Sequence, residues 1–371
     1  MRKEQMHKVT ILSDLVFFQR GFDITKAQQR AGDIPVVSSS GIKSYHSIAK
    51  VKGPGVVIGR KGTLGSIHFI KEDYWPHDTT LWSKNFKGNN PRFVYYFLKV
   101  LRLAHYNVGN ANPTLNRNHI HGLKINIPPL NTQLKIASIL SAYDDLIENN
   151  RQRIQLLEES ARLLYKEWFV NFRFPGHENT KIVDGVPEGW ERKPLVEVAH
   201  LTMGQSPKSE FYNDAGDGLP FHQGVTNYGE RFVSHKIYST KITRLAESGD
   251  ILCSVRAPVG RLNYTLDKII LGRGLCAIFS KFENQSFLFY QLKNYFFKED
   301  IIGSGAIYAA VTKKDMETLE LLKPPVNIVR SFEEISRPFD KQIKNLSEQN
   351  QKLAEARDFL LPRLITGEVE V

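Results

Sequence analysis

The chain has 371 residues, of which 41% are hydrophobic and 24% are charged, and it carries a formal net charge of +11. This length predicts two domains, and the composition is that of a soluble protein with apolar cores, which excludes disordered, collagen-like and disulfide-scaffold classes. No run approaches 18 apolar residues and the first residues, MRKEQMHKV, lack an apolar segment, so we expect a cytoplasmic protein without a membrane span or a signal peptide. Cys253 and Cys276 lie in apolar runs without metal-ligand spacing, which predicts buried free thiols.

The positive charge is concentrated in the first third of the chain. Residues 1–130 contain 19 Lys and Arg against 7 Asp and Glu, whereas residues 187–326 contain 17 against 16. A basic balance favours polyanionic partners, although it carries no information about fold. We therefore expect the first third to bind nucleic-acid phosphates more strongly than the rest of the chain does.

Residues 1–130 have the pattern of an α+β domain. Short β-branched segments are broken by Gly, Pro and Asn, as in Gly53-Pro-Gly-Val-Val-Ile-Gly-Arg-Lys61, where a strand ends in a basic pair and a glycine turn. An aromatic stripe with helical spacing follows from Phe93 to Leu103. Such a stripe is more often part of a core than a surface for stacking bases, so we expect a buried helix.

A long helix is predicted directly after this domain. The diproline at Pro128 ends the last strand, and apolar or neutral residues then recur in steps of four and three from Tyr143 to Leu164. This heptad spacing is typical of helices that pair along one seam. A helix from Asn131 to Phe169 would be about 58 Å long at 1.5 Å per residue.

The chain then repeats this order. A polar, turn-rich linker at residues 171–186 leads into a second domain, whose diproline at Pro324 lies 196 residues beyond the first. The heptad seam recurs with the same offset from Phe339 to Leu360, although Asn and Arg interrupt it. The segments that correspond in the two domains are Leu12-Ser-Asp-Leu with Leu195-Val-Glu-Val, Gly32-Asp-Ile-Pro with Gly218-Leu-Pro-Phe, Gly53–Gly65 with Gly249–Gly260, and Phe93–Leu103 with Phe287–Phe297.

Neither long helix can bury its seam alone, so we expect the two helices to pair with each other. Because each helix leads away from its own domain, the pairing is predicted to be antiparallel. The predicted fold class is therefore α+β, with two similar domains joined and separated by two long paired helices and related by an approximate two-fold axis. Two domains at a fixed separation suit a polymer such as DNA, whose groove recurs about every 34 Å.

Basic, amide and hydroxyl side chains at the predicted turns are the candidate DNA-binding residues. Lys meets mainly phosphates, whereas guanidinium, amide and hydroxyl groups can also read base edges in the major groove. The candidates of the first domain are Lys43 and His46 in a Ser/Gly loop and Arg60, Lys61 and Thr63 at the glycine turn. Those of the second domain are His222, Gln223, Asn227 and Tyr228 in one loop, with the arginines Arg256, Arg261 and Arg273. The alternative for any one of them is solvated surface.

The sequence predicts neither a catalytic nor a metal site. The run GRKGTLG lacks the spacing of a Walker loop, and no Asn-Pro-Pro-aromatic motif of a methyltransferase occurs. The tripeptide at Glu191, near Asp184, resembles a nuclease motif but lacks its upstream Pro-Asp. His119 and His121 have no third ligand at a suitable spacing, which favours a role in a turn or loop.

The run NRNHIHGLKINIPPLNTQLKIASILSAYDDLI, which begins at Asn116, resembles the end of a target-recognition domain and the start of the helix in specificity (S) subunits of type I restriction–modification systems. The segments VIGRKGTLG at Val57 and VPEGWE at Val186 are also typical of that family. The resemblance covers essentially the whole chain. The second helix departs from the pattern, because Val329 stands where Gln133 stands in the first.

The resemblance implies a non-catalytic subunit in which each target-recognition domain reads one half of a split, asymmetric DNA sequence. The helices of such a subunit set the unread spacer and bind two methyltransferase (M) subunits, which use S-adenosylmethionine to methylate adenine. Motor-nuclease (R) subunits that use ATP and Mg²⁺ complete the complex. We therefore expect double-stranded DNA and the M and R subunits as partners, and no cofactor on this chain itself.

The predicted organisation is a first target-recognition domain at 1–130, a spacer helix at 131–170, a linker at 171–186, a second domain at 187–326, and a second helix with a C-terminal tail at 327–371. Two alternatives stay open. An enzyme would bind S-adenosylmethionine or cleave DNA by itself. A scaffold for acidic proteins would lack the salt-dependent duplex binding that counterion release gives a DNA-binding protein.

Overall fold

The structure is a computed structural model that describes residues 8–106, 113–296 and 310–371. The chain divides into two compact units, of which the first comprises the chain up to Asn149 together with Asn350–Val371, and the second comprises Asn150–Gln349. Each unit contains one globular domain and part of each of two long helices. None of the helices in the described residues is long and apolar enough to cross a membrane.

The described residues of the first domain form an α+β fold of nine short strands and three α-helices. The strands are β1 (Lys8–Ile11), β2 (Phe17–Arg20), β3 (Ile34–Ser38), β4 (Gly41–His46), β5 (Gly55–Gly59), β6 (Ile67–Ile70), β7 (Trp75–Pro76), β8 (Thr80–Asn85) and β9 (Lys124–Ile127). The helices are α1 (Leu12–Leu15), α2 (Pro91–Val100) and α3 (Arg117–His121), and the long helix α4 (Leu130–Phe169) follows. One sheet has the order β2-β8-β5-β6, a second has the order β4-β3-β7, and β1 pairs with β9.

The second domain follows a linker that contains the small hairpin β10 (Ile182–Val183) and β11 (Val186–Pro187). Its strands are β12 (Glu191–Pro194), β13 (Ala199–Met203), β14 (Tyr212–Asn213), β15 (Leu219–His222), β16 (Tyr238–Ser239), β17 (Leu245–Ala246), β18 (Ile251–Ser254), β19 (Leu262–Tyr264), β20 (Ile269–Leu271), β21 (Leu275–Ser280) and β22 (Glu320–Lys323). Its helices are α5 (Leu195–Val198), α6 (Gln285–Phe296), α7 (Lys313–Glu317) and the long α8 (Val326–Thr366). The sheets have the orders β13-β21-β18-β19 and β14-β16-β15-β20-β17, and β12 pairs with β22.

The two domains share one topology, which confirms the internal repeat. The sheet β13-β21-β18-β19 repeats β2-β8-β5-β6, and the parallel pair β15–β20 repeats the parallel pair β3–β7. In each copy the first strand pairs antiparallel with the strand that precedes the long helix. The corresponding segments found in the sequence fall on α1 and α5, on β3 and β15, and on β5 and β18. In the second domain β16 takes the place of β4, since each pairs antiparallel with the first strand of the parallel pair, and β14 and β17 are additions to this plan.

The aromatic stripes form buried helices, as predicted. The side chain of Asn90 caps α2 by accepting a hydrogen bond from the backbone N–H of Phe93 at 2.9 Å. Phe93 is fully buried against the sheet residues of the first core. In the equivalent helix α6, Phe287 and Tyr290 are buried in the second core. Phe297, the predicted end of that stripe, lies outside the described residues.

The long helices pair in the first unit through the start of α4 and the end of α8. The apolar seam here consists of Ile136, Ala137 and Leu140 on α4 with Leu361, Leu364 and Ile365 on α8. Lys135 Nζ lies 3.1 Å from the carbonyl oxygen of Val371, and Asp144 forms an ion pair with Arg357 at 2.5 Å. Residue numbers rise along one helix and fall along the other, so the pairing is antiparallel.

The second unit pairs the remaining parts of the same two helices. Ile154 packs in one cluster with Ile343 and Leu346, whereas the ring of Tyr165, three turns further along α4, lies 6.1 Å from the ring of Phe332. The order is again antiparallel. All fourteen heptad positions predicted from the sequence are buried or half-buried. The predicted pairing is therefore confirmed within each unit, whereas the predicted domain boundaries stay a prediction.

A carboxylate performs in the second copy the role that the amide of Gln133 performs in the first. Gln133 Nε2 donates to Asn89 Oδ1 at 2.8 Å, which connects α4 to the loop before α2. Val329 has no such group, but Glu333, one turn later on α8, accepts a hydrogen bond from the backbone N–H of Phe287 at 2.7 Å. Both copies thus tie the long helix to the start of the aromatic helix, so the departure at Val329 leaves the repeat intact.

Candidate nucleic-acid interface

Backbone hydrogen bonds hold together the strand ends of the first domain. The N–H of Gly21 donates to the carbonyl of Thr80 at 3.0 Å, and the N–H of Arg60 donates to that of Thr79 at 2.8 Å. A Cβ atom on Gly21 would overlap the carbonyl oxygen of His77, so only glycine permits this close approach of β2 to the turn between β7 and β8. We call this surface the first-domain edge and define it by Arg20, Phe22, Asp23, Arg60, Lys61, His77, Asp78 and Thr79.

The second domain contains the same arrangement. The N–H of Gly204 donates to the carbonyl of Leu275, and the N–H of Val255 donates to that of Gly274, both at 2.9 Å. A Cβ atom on Gly204 would overlap the carbonyl oxygen of Gly272, as at the equivalent glycine of the first domain. We call this surface the second-domain edge and define it by Gln205, Ser206, Gln223, Arg256 and Arg273.

Each edge lies at the opposite end of its sheet from the contacts with the long helices. In the first domain, β8 begins with Thr80 at the edge, and the loop after its far end contacts Gln133 of α4. In the second domain, β21 begins with Leu275 at the edge, and after its far end Ser286 donates to Asp340 of α8 at 2.5 Å. In each domain, one end of the sheet thus contacts the long helices, and the opposite end is available to a ligand.

Of the five candidates in the first domain, two lie on the first-domain edge. Lys61 is exposed, and Arg60 is half-buried with an Nη1 atom that has no hydrogen-bond partner among the described residues. Burial lowers the pKa of Arg60, and the positive charge of Arg20 lowers it further. Thr63 is exposed in the turn after β5, and Lys43 is exposed on β4 rather than in a loop. The edge is therefore basic and holds one incompletely paired guanidinium.

His46 has a different environment from the one that the sequence predicted. It is the last residue of β4, because the Ser/Gly run is a tight turn that pairs β3 with β4. Its side chain is 3% exposed, its Nδ1 accepts a hydrogen bond from the N–H of Arg30 at 2.9 Å, and its ring lies 5.4 Å from that of Trp75. The predicted loop position is wrong, and these contacts give His46 a structural role.

Three of the second-domain candidates come together on the second-domain edge. Ser206 Oγ donates to Gln223 Oε1 at 2.7 Å and accepts from the backbone N–H of Arg273 at 3.1 Å. The side chains of Gln223, Arg256 and Arg273 are exposed. Arg261 is exposed immediately before β19 and is not part of the edge as defined. One amide and two guanidinium groups are thus available at the strand ends.

The other candidates of that loop lie further inside the domain. His222 ends β15 with 2% of its surface exposed, and its Nε2 lies 2.9 Å from Nδ1 of His235, which in turn contacts Asp267 at 3.0 Å. Burial lowers the pKa of His222 to about 4, with a further contribution from His235, so the ring is neutral at pH 7. Burial also raises the pKa of Tyr228, whose hydroxyl is enclosed, and Asn227 is half-buried. The predicted exposed loop is wrong for His222, because it ends β15, where Phe221 and His222 pair with β20 and both faces of the strand are buried.

The first-domain edge contains an ion pair that the sequence did not predict. Arg20, at the end of β2, contacts Asp78 at 3.1 Å. The hydrogen-bond patterns make Asp78 the equivalent of Arg273, which the sequence did identify, and Lys61 the equivalent of Arg256. The internal repeat could have identified this position, because Asp78 corresponds to Arg273. However, the segments that were matched between the two domains in the sequence did not include the short turn between β7 and β8.

Within the described ranges, one group of side chains has ligand atoms close enough to hold a metal ion. Asp23, His77 and Asp78 place one ligand atom each within 4.8 Å of one another. Arg20 already contacts one oxygen of Asp78, and His77 Nδ1 lies 3.0 Å from the other. His121 lies in the short helix α3, and its Nε2 accepts a hydrogen bond from a backbone amide of β2 at 3.0 Å.

A family model described as the type I restriction modification DNA specificity domain matches residues 7–159 and again residues 187–355. The chain is 32% identical over 296 residues to a putative type I restriction enzyme MjaX specificity subunit of Methanocaldococcus jannaschii. The aligned region covers 75% of this chain and 68% of that protein. It is 27% identical over 384 residues to the type I restriction enzyme MjaIX specificity subunit of the same organism, covering 92% and 88%.

The fold is also similar to that of a solved structure. The crystal structure of a type I restriction–modification system S subunit from M. genitalium superimposes with a TM-score of 0.62 at 15% sequence identity, and the match covers 98% of each chain. The likeness extends over both domains and both long helices. At this identity it supports the fold.

Proposed function

Since this chain belongs to the type I restriction–modification DNA specificity family, we propose that its two domains each read one half of a bipartite DNA target. It is a specificity subunit with two target-recognition domains. The observation that carries the proposal is the equivalence of the two edges, which have the same backbone hydrogen bonds and different side chains. Two domains of the same fold that present different side chains at equivalent edges suit a DNA target whose two halves have different sequences.

The side chains of the two edges support a division between phosphate and base contacts. The first domain has the charge excess, and Arg60 and Lys61 suit phosphates, which supply the sequence-independent part of the affinity. The second domain is nearly neutral, so its Gln223 and Arg273 suit base edges in the major groove. The second domain would then depend more on base contacts than on charge.

We further propose that two methyltransferase subunits dock on the long helices. Three leucines of α4 support this, because Leu146, Leu156 and Leu163 have 47%, 68% and 46% of their surface exposed although the helix already has an apolar seam with α8. Leu156 and Leu163 are one heptad apart and therefore share one exposed face of α4, which suits a further protein contact. S-adenosylmethionine would bind to these partners, and ATP and Mg²⁺ to the motor-nuclease subunits, so this chain would contribute specificity without catalysis. We expect the assembly to act in the cytoplasm.

Binding of fluorescent duplex DNA at increasing salt concentration tests the proposal. We expect the affinity to fall linearly on a log–log plot, because each phosphate contact releases a counterion. Calorimetry with S-adenosylmethionine should give no heat of binding for the chain alone. A chain that binds acidic proteins but no duplex DNA would favour the scaffold alternative, and cofactor binding or DNA cleavage by the isolated chain would favour an enzyme.

A further inference from the structure

The ion pair of the first-domain edge holds a guanidinium in place while leaving it accessible. Arg20 Nη2 lies 3.1 Å from Asp78 Oδ2, and the backbone carbonyl of Arg20 accepts a hydrogen bond from Trp82 Nε1 at 3.3 Å. The Arg20 side chain is nevertheless 56% exposed, whereas that of Asp78 is 23% exposed. The carboxylate is therefore the more buried partner of the ion pair, and the guanidinium is the group that a ligand can reach.

Positive charge exceeds negative charge around this carboxylate. Arg60 lies close enough to Arg20 for the positive charge of Arg20 to lower its pKa, after the larger effect of burial, and Asp78 opposes both effects. The Nη1 atom of Arg60 has no hydrogen-bond partner among the described residues. The other oxygen of Asp78 lies 3.0 Å from His77 Nδ1. A ligand with hydrogen-bond acceptors would complete this group of donors.

The repeat relates this pair to the second-domain edge. The N–H of His77 donates to the carbonyl of Val37 at 2.8 Å, and the N–H of Gly272 donates to that of His222 at the same distance. The next residues, Asp78 and Arg273, are therefore equivalent. The second domain presents a guanidinium from the turn itself, whereas the first has a carboxylate there and presents a guanidinium from the end of β2. Both edges thus offer a guanidinium at the same turn.

We infer that Arg20, held by Asp78, is the specificity-determining guanidinium of the first domain and that it reads the acceptor edge of guanine, N7 and O6, in the major groove. This inference rests on the proposed function. The planar fork of an arginine donates two parallel hydrogen bonds to these two acceptors, a geometry that lysine does not have. Asp78 is a positioning residue, because it fixes the plane of the fork without contacting the base.

The carboxylate also explains why a base suits Arg20 better than a phosphate does. Asp78 partly neutralises the charge of Arg20, which weakens its long-range attraction to the DNA backbone. Lys61 on the same edge is exposed and forms no ion pair with another described residue. A fixed direction and a reduced charge favour a specific, short-range contact. Lys61, together with Arg60, suits a phosphate on this edge.

The test uses the complete complex of this chain with its methyltransferase subunits in cells, with the methylated sequences mapped by long-read sequencing. The variants are Arg20→Gln, Arg20→Lys and Asp78→Asn. The matched control is Asp73→Asn, because Asp73 precedes β7 whereas Asp78 follows it. Among the described residues, the Asp73 carboxylate accepts a hydrogen bond only from the N–H of Gly53, at 2.9 Å. We expect Arg20→Gln and Arg20→Lys to relax the same G·C position of one half-site by about tenfold.

Asp78→Asn should relax that same position by a smaller factor, and the control should leave the whole target unchanged. Arg20→Lys keeps the charge, so a thermal midpoint close to that of the wild type would show that the fold persists. An unchanged G·C preference in Arg20→Gln, or a uniform loss of affinity with an unchanged target, would overturn the inference. A wild-type complex that methylates no defined target would contradict the proposed function itself.

Discussion

At the scale of single residues, the two edges carry different chemistry at equivalent backbone positions. Lys61 corresponds to Arg256, so the positive charge is kept on a different group. Asp78 corresponds to Arg273, so the sign of the side-chain charge is reversed. The backbone hydrogen bonds that hold these positions are the same in both domains. On the proposed function, we therefore expect single substitutions at an edge to change the sequence that is read without changing the fold.

Replacing Arg60 and Lys61 by Ala should weaken binding to all duplex sequences. Each lost phosphate contact should reduce the slope of log affinity against log salt by about 0.9, so the double variant should lose up to about two units of slope. Fluorescence anisotropy with specific and random duplexes measures both quantities. Lys84→Ala with Lys124→Ala is the matched control, because both lysines are exposed in the same domain but outside the first-domain edge.

Gln223→Ala should have the opposite effect, since its amide suits a base rather than a phosphate. We expect a changed preference at one half-site with an unchanged salt slope. If neither this variant nor the double variant of Arg60 and Lys61 alters DNA binding, the edges are not the contact surfaces, although the fold stands.

The buried His222 should make the stability of the second domain depend on pH. Its pKa of about 4 in the folded chain lies below the ordinary value of 6.5, so the unfolded chain binds the proton first as the pH falls. The neutral His222 therefore contributes roughly 3 kcal/mol to the free energy of unfolding. This contribution is complete above about pH 6.5 and is lost as the pH falls to about 4. Urea unfolding at pH 7 and pH 4.5 should show a smaller pH effect in His222→Asn than in the wild type. The exposed His119→Gln should behave like the wild type, and equal pH effects in all three proteins would contradict this account.

At the scale of elements, a buried arginine attaches the second domain to both long helices. Arg231 is 3% exposed, and its guanidinium contacts Glu158 of α4 at 2.8 Å and Asp340 of α8 at 2.6 Å. The same guanidinium lies 3.7 Å from the centre of the Phe289 ring on α6. Asp340 is offset by 196 residues from Asp144, whose arginine partner comes from the other long helix instead. The repeat thus keeps the aspartate and changes the source of the arginine.

Arg231→Met should destabilise the second domain by about 3 kcal/mol, because it removes the cation that contacts the half-buried Asp340, whereas Glu158 keeps its ion pair with Lys293 at 3.0 Å. Guanidinium unfolding followed by tryptophan fluorescence measures this change in the free energy of unfolding. The adjacent Glu230→Gln is the control, because Glu230 is exposed and its ion pair with Arg151 is 4.0 Å long. An Arg231→Met chain that unfolds at the wild-type denaturant concentration would show that the network does not stabilise the domain.

The elements with a sequence period could be predicted, whereas contacts between distant segments could not. The heptad seam and the buried aromatic helices follow from spacing alone, and the structure confirms both. His46 and His222 were misplaced because the sequence did not show that each ends a strand. In β4 the inward-facing His46 follows the exposed Tyr45, whereas the end of β15 is buried on both faces. Arg231 gave no local signal, since its partners Glu158 and Asp340 are 73 and 109 residues away in the sequence.

At the scale of the whole molecule, both long helices contribute to both units. The core of the first unit includes Ile136 of α4 and Leu361 of α8, and the core of the second unit includes Tyr165 and Phe332 of the same two helices. Each domain is therefore built onto both helices. A change in the length of one helix must act on the seam and on both domains together.

Inserting four residues after Ser160 should lengthen α4 by about 6 Å and shift the rest of its seam, since four residues are not a whole heptad. We expect the complex either to accept a different spacer length or to lose assembly. Methylation mapping and size-exclusion chromatography distinguish these results. Four residues inserted after Asp184, in the hairpin turn of the linker, should change neither property. An assembled complex with an unchanged spacer after the helix insertion would contradict a role of the helices in setting it.

The most direct test of two separate reading domains on one chain is a methylation map of cells that carry the complete system with the wild-type chain. We expect methylation at one asymmetric target of two short specific halves, separated by a spacer of constant length whose bases are free to vary. A single uninterrupted target, or methylation that does not depend on this chain, would contradict the account.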